Sequence, residues 1–291
     1  MNLEKILGKQ FVPIEHTATP RDCMLYALGI GVGDRPEDPR DLQFTYENGL
    51  KCFPSLVNVI AHPGGWIQAP ELAVDWVKLL HGEQSFTMHA TLEPGKTYVG
   101  SYQVLDVVDK GPGKGALLFL RKELREKGHE AIVSTVTSTY FLRGDGGCGG
   151  TTTEAPVPHP IPERAPDLTC TLTTLSRAAL IYRLSGDYNP IHADPELARK
   201  AGFERPILHG LCSLGVATRA VLTSCCNDEP ERLKSLQLRF SSPVYPGETL
   251  VTDLWRDGDS VSFRSRVAER NVVVLNNGRA VLVPRPRNIE T

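Results

Sequence analysis

No apolar run in this 291-residue chain approaches the roughly 20 residues that a membrane-spanning helix requires. A transmembrane segment is therefore not expected. Charge of one sign is equally scarce: Lys and Arg number 32, Asp and Glu 34, and the formal net charge is −2. That balance offers neither the basic stripe of a nucleic-acid surface nor a polybasic membrane anchor. The seven cysteines (Cys23, Cys52, Cys148, Cys170, Cys212, Cys225 and Cys226) include no C-x-x-C pair. A zinc ribbon or a C-x-x-C redox motif is thereby excluded, and reduced thiols in an intracellular protein are expected. The opening MNLEKILGKQFVPIEH lacks the long apolar core of a secretory signal. The final PRPRNIET is not a peroxisomal address of the Ser-Lys-Leu type.

What is present is a chain in two parts. GDGGCGGTTTEAPVPHPIPERAP, residues 144–166, is rich first in Gly and then in Pro. Its composition reads as a linker, flexible and then stiffer, that only has to span what lies on either side. It separates residues 1–143 from 167–291. In the second part, TLTTLSRAALIYRLSG has helical spacing at Leu175, Ala178, Ala179, Tyr182 and Leu184, with Thr174 or Ser176 as cap and Gly186 as stop. Asp194-Pro195 opens a short helix that Gly202 closes. A longer helix, apolar on most faces and hence buried, starts near Gly210. Strands follow: LKSLQLRF, TLVTDLWRD, SVSFRSRVAE, NVVVL and RAVLV, with turns at YPGE, DGD and NNG.

The first part ends likewise, in the strands SFTMHATL, KTYVGSYQVLDVVD, ALLFLRKELRE and EAIVSTVTSTYFLR. KLLHGEQSF echoes PILHGLCSL, and LEPGKTYV echoes VYPGETLV, which points to an internal duplication. The parts are not equivalent. After LLHG the first part turns to strand with no room for a long helix, and it holds nothing resembling GDYNPIH.

SGDYNPIHAD, residues 185–194, crowds an acid, an amide and an imidazole into a loop. Asp187 and His192 held around one water would share proton transfer with it, a contribution of roughly 10²–10⁴-fold in rate. Asn189 between them would fix the water or a partner, and Pro190 stiffens the loop. Taken alone, a helix stop at Gly186 followed by an Asp-Asn turn explains the stretch equally well. Gly210 shifts the balance, because a glycine opening a buried helix offers an unobstructed N–H at the helix's positive end. An oxyanion placed there gains a donor worth on the order of 10²–10³ in rate. Glycine for close packing is the plainer alternative. KGPGKGA, residues 110–116, is not a phosphate loop, since Gly115 follows the lysine and no helix follows. It reads as a hairpin turn whose Lys110 and Lys114 can meet phosphates as point charges. His16, His62, His89, His129 and His159 have no matching partners in sequence and read as surface or structural; Cys212 reads as a packing thiol.

YRLSGDYNPIHADPELARKAGFERPILHGLCSLG resembles the hydratase 2 signature of the MaoC-like (R)-specific enoyl-CoA hydratases, with Gly186, Asp187, Asn189, Pro190 and His192 completing its Gly-Asp-x-Asn-Pro-x-His core. RDCMLYALGIGVG, LQFTYENG, FPSLVNVIAHPGG, LLHGEQSFTMHATLEPG and VVDKGPGKGA extend the resemblance through the first part, to the branch found in peroxisomal multifunctional enzymes. The resemblance implies an α+β double hot-dog, two antiparallel sheets each wrapped around a helix, with the central helix of the first half reduced or missing to admit an acyl chain. It implies reversible hydration of a trans-2-enoyl-CoA to the (3R)-3-hydroxyacyl-CoA in fatty-acid β-oxidation, with no metal or cofactor beyond the coenzyme A of the substrate. It places Asp187 and His192 on the catalytic pair, Asn189 on the loop amide and Gly210 on the oxyanion glycine. His81, Gly82, Lys110 and Phe240 fall on acyl-CoA-lining positions and Glu47 near the site. A homodimer is implied, as is a peroxisomal location, although the chain carries neither the dehydrogenase nor the sterol-carrier part of those multifunctional enzymes. Three rivals use related scaffolds: a dehydratase of carrier-protein thioesters, a thioesterase, and a non-catalytic acyl-CoA-binding module. The last has no need of a proton-transfer pair.

Overall fold

The structure, a computed structural model, describes residues 1–152 and 154–284. The C-terminal stretch read for a targeting address thus falls, but for Pro284, outside the described residues. Ten strands form one antiparallel sheet. The first half supplies β1 (Ile14–Thr17), β2 (Leu79–Met88), β3 (Thr97–Asp109), β4 (Ala116–Glu126) and β5 (Ile132–Leu142). The second supplies β6 (Leu168–Thr173), β7 (Leu233–Phe240), β8 (Thr249–Asp257), β9 (Ser260–Val267) and β10 (Val272–Leu282). Their order is β1-β3-β4-β5-β2-β7-β10-β9-β8-β6. Read from either edge inward, the two halves have the same topology, and they meet where β2 pairs with β7, from Glu83↔Arg239 to Thr87↔Ser235. The echoes in sequence are thus a duplication in space, a double hot-dog whose two sheets are continuous.

The helices are α1 (Leu3–Leu7), α2 (Pro20–Gly29), α3 (Pro39–Thr45), α4 (Ala178–Tyr182), α5 (Pro195–Lys200) and α6 (Gly210–Val221). From Cys212 to Val221 every residue of α6 is buried, and the helix packs on β6, β7, β8 and β10. The equivalent place in the first half, ahead of β2, holds only short 3₁₀ turns, such as Pro54–Asn58 and Trp76–Lys78. The reduced central helix is therefore present as expected.

Lys122 helps to hold that helix-poor segment. It sits on the buried face of β4, between Leu120 and Leu124. Its ammonium donates to the carbonyls of Val57 (2.5 Å) and Ile60 (2.8 Å), at the end of the first 3₁₀ turn. Burial pushes its pKa from 10.5 down to about 7. Between those values the unfolded chain binds a proton that the folded chain releases, so stability rises with pH across the window. Below about pH 7 both states are charged and the full cost of burying the cation is felt. Lys122→Met should remove roughly 1–3 kcal/mol of the stability gained between pH 7 and 9, and urea unfolding of both proteins at the two pH values checks this.

Three local expectations are corrected. The residues ahead of the expected cap, Leu168–Thr173, form strand β6, and α4 begins only at Ala178. Thr169, Thr171 and Thr173 are β-branched and alternate along the edge, and the Thr173 hydroxyl lies 3.1 Å from that of Thr249 on β8. Thr174 is not a cap, because its hydroxyl donates to Glu248 O and accepts from Gly247 N. Ser176 does not cap either; Arg177 precedes α4 with no side-chain cap. NNG is not a hairpin turn. β10 runs straight through it with a bulge, Asn277 at φ 54°, because both flanks stay paired to β7 and β9. Nor is the glycine-rich part of residues 144–166 a free spacer. The Asp109 carboxylate accepts from the N–H groups of Gly111, Gly147 and Gly149 at 2.8–3.0 Å. A Cβ on Gly146 would stand 2.3 Å from Gly111 O. Glycine is there for close approach, not for freedom. The proline-rich part is sewn on as well, through Trp255 Nε1 to Arg164 O (2.7 Å) and Asn277 Nδ2 to His159 O (2.8 Å).

Candidate active site

The loop that carries Asp187 begins where the helical turn after α4 stops at Gly186, whose φ of 116° suits glycine. The Asp187 carboxylate accepts from Asn189 N (3.1 Å), and the Asn189 side-chain oxygen accepts from Ile191 N (3.2 Å), capping the 3₁₀ turn Pro190–His192. The plain turn is therefore real, and it is also what aims the acid and the imidazole. Asn189 spends its oxygen on the cap, which leaves its amide N–H₂ as the group available to a ligand.

His192 is buried, and its Nδ1 donates to Ile207 O at 2.8 Å. That bond fixes the tautomer and leaves Nε2 as a bare acceptor. Burial lowers its pKa, while the Ile207 carbonyl and Asp187 pull it back up. Beside it stands His209, which the sequence marks only as the neighbour of Gly210. The two rings stack with centroids 3.7 Å apart. His209 Nε2 donates to the Asp187 main-chain carbonyl (3.1 Å), and its ring also meets Tyr182 at 5.1 Å. Burial, and then His192, push its pKa down to about 4. A carboxylate oxygen of Asp187 and one ring nitrogen each of His192 and His209 all lie within 4.8 Å of one another. A water that hydrogen-bonds two groups at tetrahedral angle spans about 4.6 Å, so one water can bridge Asp187 and a His192 ring nitrogen, which lie no more than 4.8 Å apart.

Gly210 is the first residue of α6 and is exposed. The first bonds of the helix run from Cys212 N and Ser213 N to His209 O, so the Gly210 N–H lies ahead of the ladder. A Cβ on Gly210 would stand 3.2 Å from the Phe240 ring. Phe240 in turn meets His81 edge-on, centroids 5.0 Å apart. The β2–β7 register explains the meeting: Glu83 pairs with Arg239, so His81-Gly82 and Phe240 lie at the same end of the seam. Gly82 sits at a bulge of β2, between His81 and Glu83. His81 donates from Nε2 to Gln84 Oε1 (2.8 Å) and packs on Tyr140 (5.1 Å). Its recessed ring is pushed down to about 4 by burial, against the pull of Gln84. Lys110 is more peripheral; its Nζ lies 5.4 Å from the Phe141 ring centre, and Phe141 pairs with Leu80, beside His81.

Two positions depart from the expectation. Glu47 lies exposed in the turn after α3, and no contact among the described residues joins it to Asp187, His192 or His81. α3 turns its buried Asp41 toward Arg35, Gly33 and the loop before it, which leaves the residues that follow facing outward. His62, read as a bystander, is lowered in pKa by burial and raised by the nearby Asp187 carboxylate, and its own charge helps to lower that of His81. It and His209 both lie in stretches that carry the resemblance, His62 in FPSLVNVIAHPGG and His209 in PILHGLCSL, but the signal that joins them to Asp187 and His192 is spatial.

A second cleft, of about 320 Å³, lies at the far end of the β2–β7 seam, lined among others by Leu50, Cys52, Met88 and Leu233. The duplication maps it onto the site just described. In the first half, Gly33-Asp34 to Asp38-Pro39 parallels Gly186-Asp187 to Asp194-Pro195, and both Asp-Pro pairs cap the next helix. Between them stand Arg35, Pro36 and Glu37, without Asn or His. Asp34 is spent on Arg219 (2.9 Å). One of the two related places has kept acid–base groups.

A double hot-dog with an Asp-His pair facing a helix N-terminus defines a MaoC-like protein. Residues 16–144 match the MFE-2 hydratase 2 N-terminal domain and residues 158–277 the MaoC like domain. The chain is 36% identical to a Probable enoyl-CoA hydratase 2 of Dictyostelium discoideum over 98% of this chain and 97% of that one. It is 35% identical to the Peroxisomal multifunctional enzyme type 2 of Mus musculus, of which it spans 38%. A MaoC-like dehydratase from Phytophthora capsici superposes with a TM-score of 0.86 at 35% identity, covering 98% of this chain and 99% of that chain. The chain belongs to the enoyl-CoA hydratase 2 family of MaoC-like proteins.

Proposed function

We propose that the chain catalyses the reversible hydration of trans-2-enoyl-CoA to (3R)-3-hydroxyacyl-CoA, as a step of fatty-acid β-oxidation. The observations that carry this reading are the tautomer of His192, fixed by its Nδ1–H bond to Ile207 O, and the approach of one of its ring nitrogens to within 4.8 Å of an Asp187 carboxylate oxygen. The thioester carbonyl makes Cβ electrophilic. Water held between the two groups gives a proton to His192 Nε2 as its oxygen bonds to Cβ. Negative charge moves to the thioester oxygen, where the Gly210 N–H receives it. The Asp187–His192 pair then delivers a proton to Cα. The acyl chain runs toward the first half, past His81, Gly82 and Phe240. Lys110 and Lys114, at the mouth of the β3–β4 turn, supply positive charge for the phosphates of coenzyme A. No other cofactor and no metal enter the reaction. The names of the relatives favour a peroxisomal setting, and the resemblance favours a homodimer.

The test is incubation with trans-2-enoyl-CoAs of several chain lengths, followed by chiral analysis of the product. A (3S) product, or release of free coenzyme A thiol without hydration, overturns the reading. So does activity restricted to carrier-protein thioesters.

Gly210 offers a sharper check of the oxyanion step. Gly210→Pro removes the N–H and should lower kcat by on the order of 10²–10³. Gly210→Ala keeps the donor but presses on Phe240 at 3.2 Å, so it should chiefly raise KM. Equal losses of kcat in the two variants would assign Gly210 to packing alone.

A further inference from the structure

The catalytic reading leaves one pair of side chains unused. Cys23, in the first turn of α2, and Cys52, just ahead of the 3₁₀ turn Pro54–Asn58, bring their sulfurs to 3.3 Å inside the first half. We propose that this pair is a peroxide-reactive dithiol that closes to a disulfide, locking α2 to the segment that replaces the central helix.

The geometry is that of a site one step from closure. A disulfide needs sulfurs at about 2.05 Å, against 3.3 Å here. The sulfurs are not equivalent. Cys23 Sγ also lies 3.7 Å from Ala18 O, and the hydrogen bond from Cys52 lowers its pKa. The pKa of Cys52 is raised by that same bond and by burial. Entry is through the second cleft, whose wall includes Cys52 together with the exposed His89 and Thr91. Of the charged groups facing that cleft, Lys51 is bound to Glu231 (2.7 Å), while Lys234 and Glu93 oppose each other in sign. A neutral oxidant such as hydrogen peroxide meets no net field there.

The chemistry balances with hydrogen peroxide as the oxidant. The Cys23 thiolate attacks one peroxide oxygen, the O–O bond breaks, and hydroxide leaves with the proton of Cys52. The Cys52 sulfur then attacks the sulfenic sulfur and displaces hydroxide, which takes up the proton that Cys23 had given to solvent and leaves as the second water. Two thiols are oxidised by two electrons, and one peroxide becomes two waters.

The lock would bind elements that already lean on one another. Tyr26 of α2 donates to Ser55 Oγ (2.8 Å), and Gly29 O, at the end of α2, accepts from Cys212 Sγ of α6 (3.4 Å). Closing the loop between the two cysteines constrains the unfolded chain, so the oxidised protein should melt higher by about 5 °C or more.

The experiment uses the full chain. It is exposed to excess hydrogen peroxide, alkylated under denaturing conditions and digested with trypsin without reduction. A disulfide should join the peptides that begin at Asp22 and at Cys52. The melting temperature should rise, and dithiothreitol should return it. Cys52→Ser should show neither the linkage nor the rise. Recovery of Cys23 and Cys52 as alkylated thiols overturns the proposal. So does Cys23 found as a sulfinic acid or joined to a different cysteine, or a linkage with no change in melting temperature.

Discussion

His192→Ala and Asp187→Asn should each lower kcat by about 10²–10⁴-fold, the range of a lost acid–base group. They should do so for different reasons. In Asp187→Asn the Asx turn survives, because the new amide oxygen still accepts from Asn189 N as the carboxylate does at 3.1 Å. The loop keeps its shape and the proton-transfer group is gone. His192→Ala also strips a partner from Ile207 O and a stacking face from His209. It should therefore cost stability as well, about 1–3 kcal/mol for the unsatisfied carbonyl and the cavity. Steady-state kinetics beside thermal melts separate the two effects. A loss of less than about tenfold in both variants would remove the pair from the chemistry, since it falls short of what such a group supplies.

The same imidazoles set the acid limit of the enzyme. His81 and His209 are neutral in the fold, each pushed from 6.5 down to about 4, and His192 is lowered too. Between about pH 4 and 6.5 the unfolded chain binds protons that the folded chain refuses. The contribution of these histidines is thus complete above pH 6.5 and is lost as the pH drops through that window. Activity should share the limb, because only neutral His192 can accept the proton of water.

Much of this was legible before any coordinates. β7 and β8 run over the very residues that alternation and the YPGE and DGD turns mark out. The acid, the amide and the imidazole come from one short loop, so their nearness is a local property. The failures share a cause of the opposite kind. β6 is not marked as a strand in the sequence, because it is made one by pairing with β8, and the NNG bulge is set by strands on both sides. His209 is marked in the sequence only as the neighbour of Gly210, and the chain then stacks it on His192. The glycines near residue 146 read as slack until Asp109 and Gly111 fix them in place. Composition reports what a segment can do alone; these positions are decided by what packs against them.

The strongest such dependence is between the halves, and it yields the second large effect. A fragment of residues 165–291 keeps Asp187, His192 and Gly210, yet it should turn over long-chain enoyl-CoA at least about a hundredfold more slowly than the full chain, since displacement of positioning groups by about 1 Å already costs that much. Removing the first half unpairs β7 from β2 along Glu83↔Arg239 to Thr87↔Ser235 and bares the edge of a strand carrying the buried Leu236 and Leu238. An exposed edge of that kind seeks another strand. The duplication suggests which one: a second copy of β7, in the place that β2 vacates. Such a dimer would restore the ten-stranded sheet but not the site. His81 comes from the start of β2, and β7, Leu233–Phe240, has no histidine to offer in its stead. Phe240 would lose its edge-on partner, and with it the packing that sets its ring against Gly210. Light scattering should find the fragment self-associated, and its rate on long-chain substrate should stay low in that state. A monomeric fragment with the full-length rate would mean that the first half contributes nothing to the pocket.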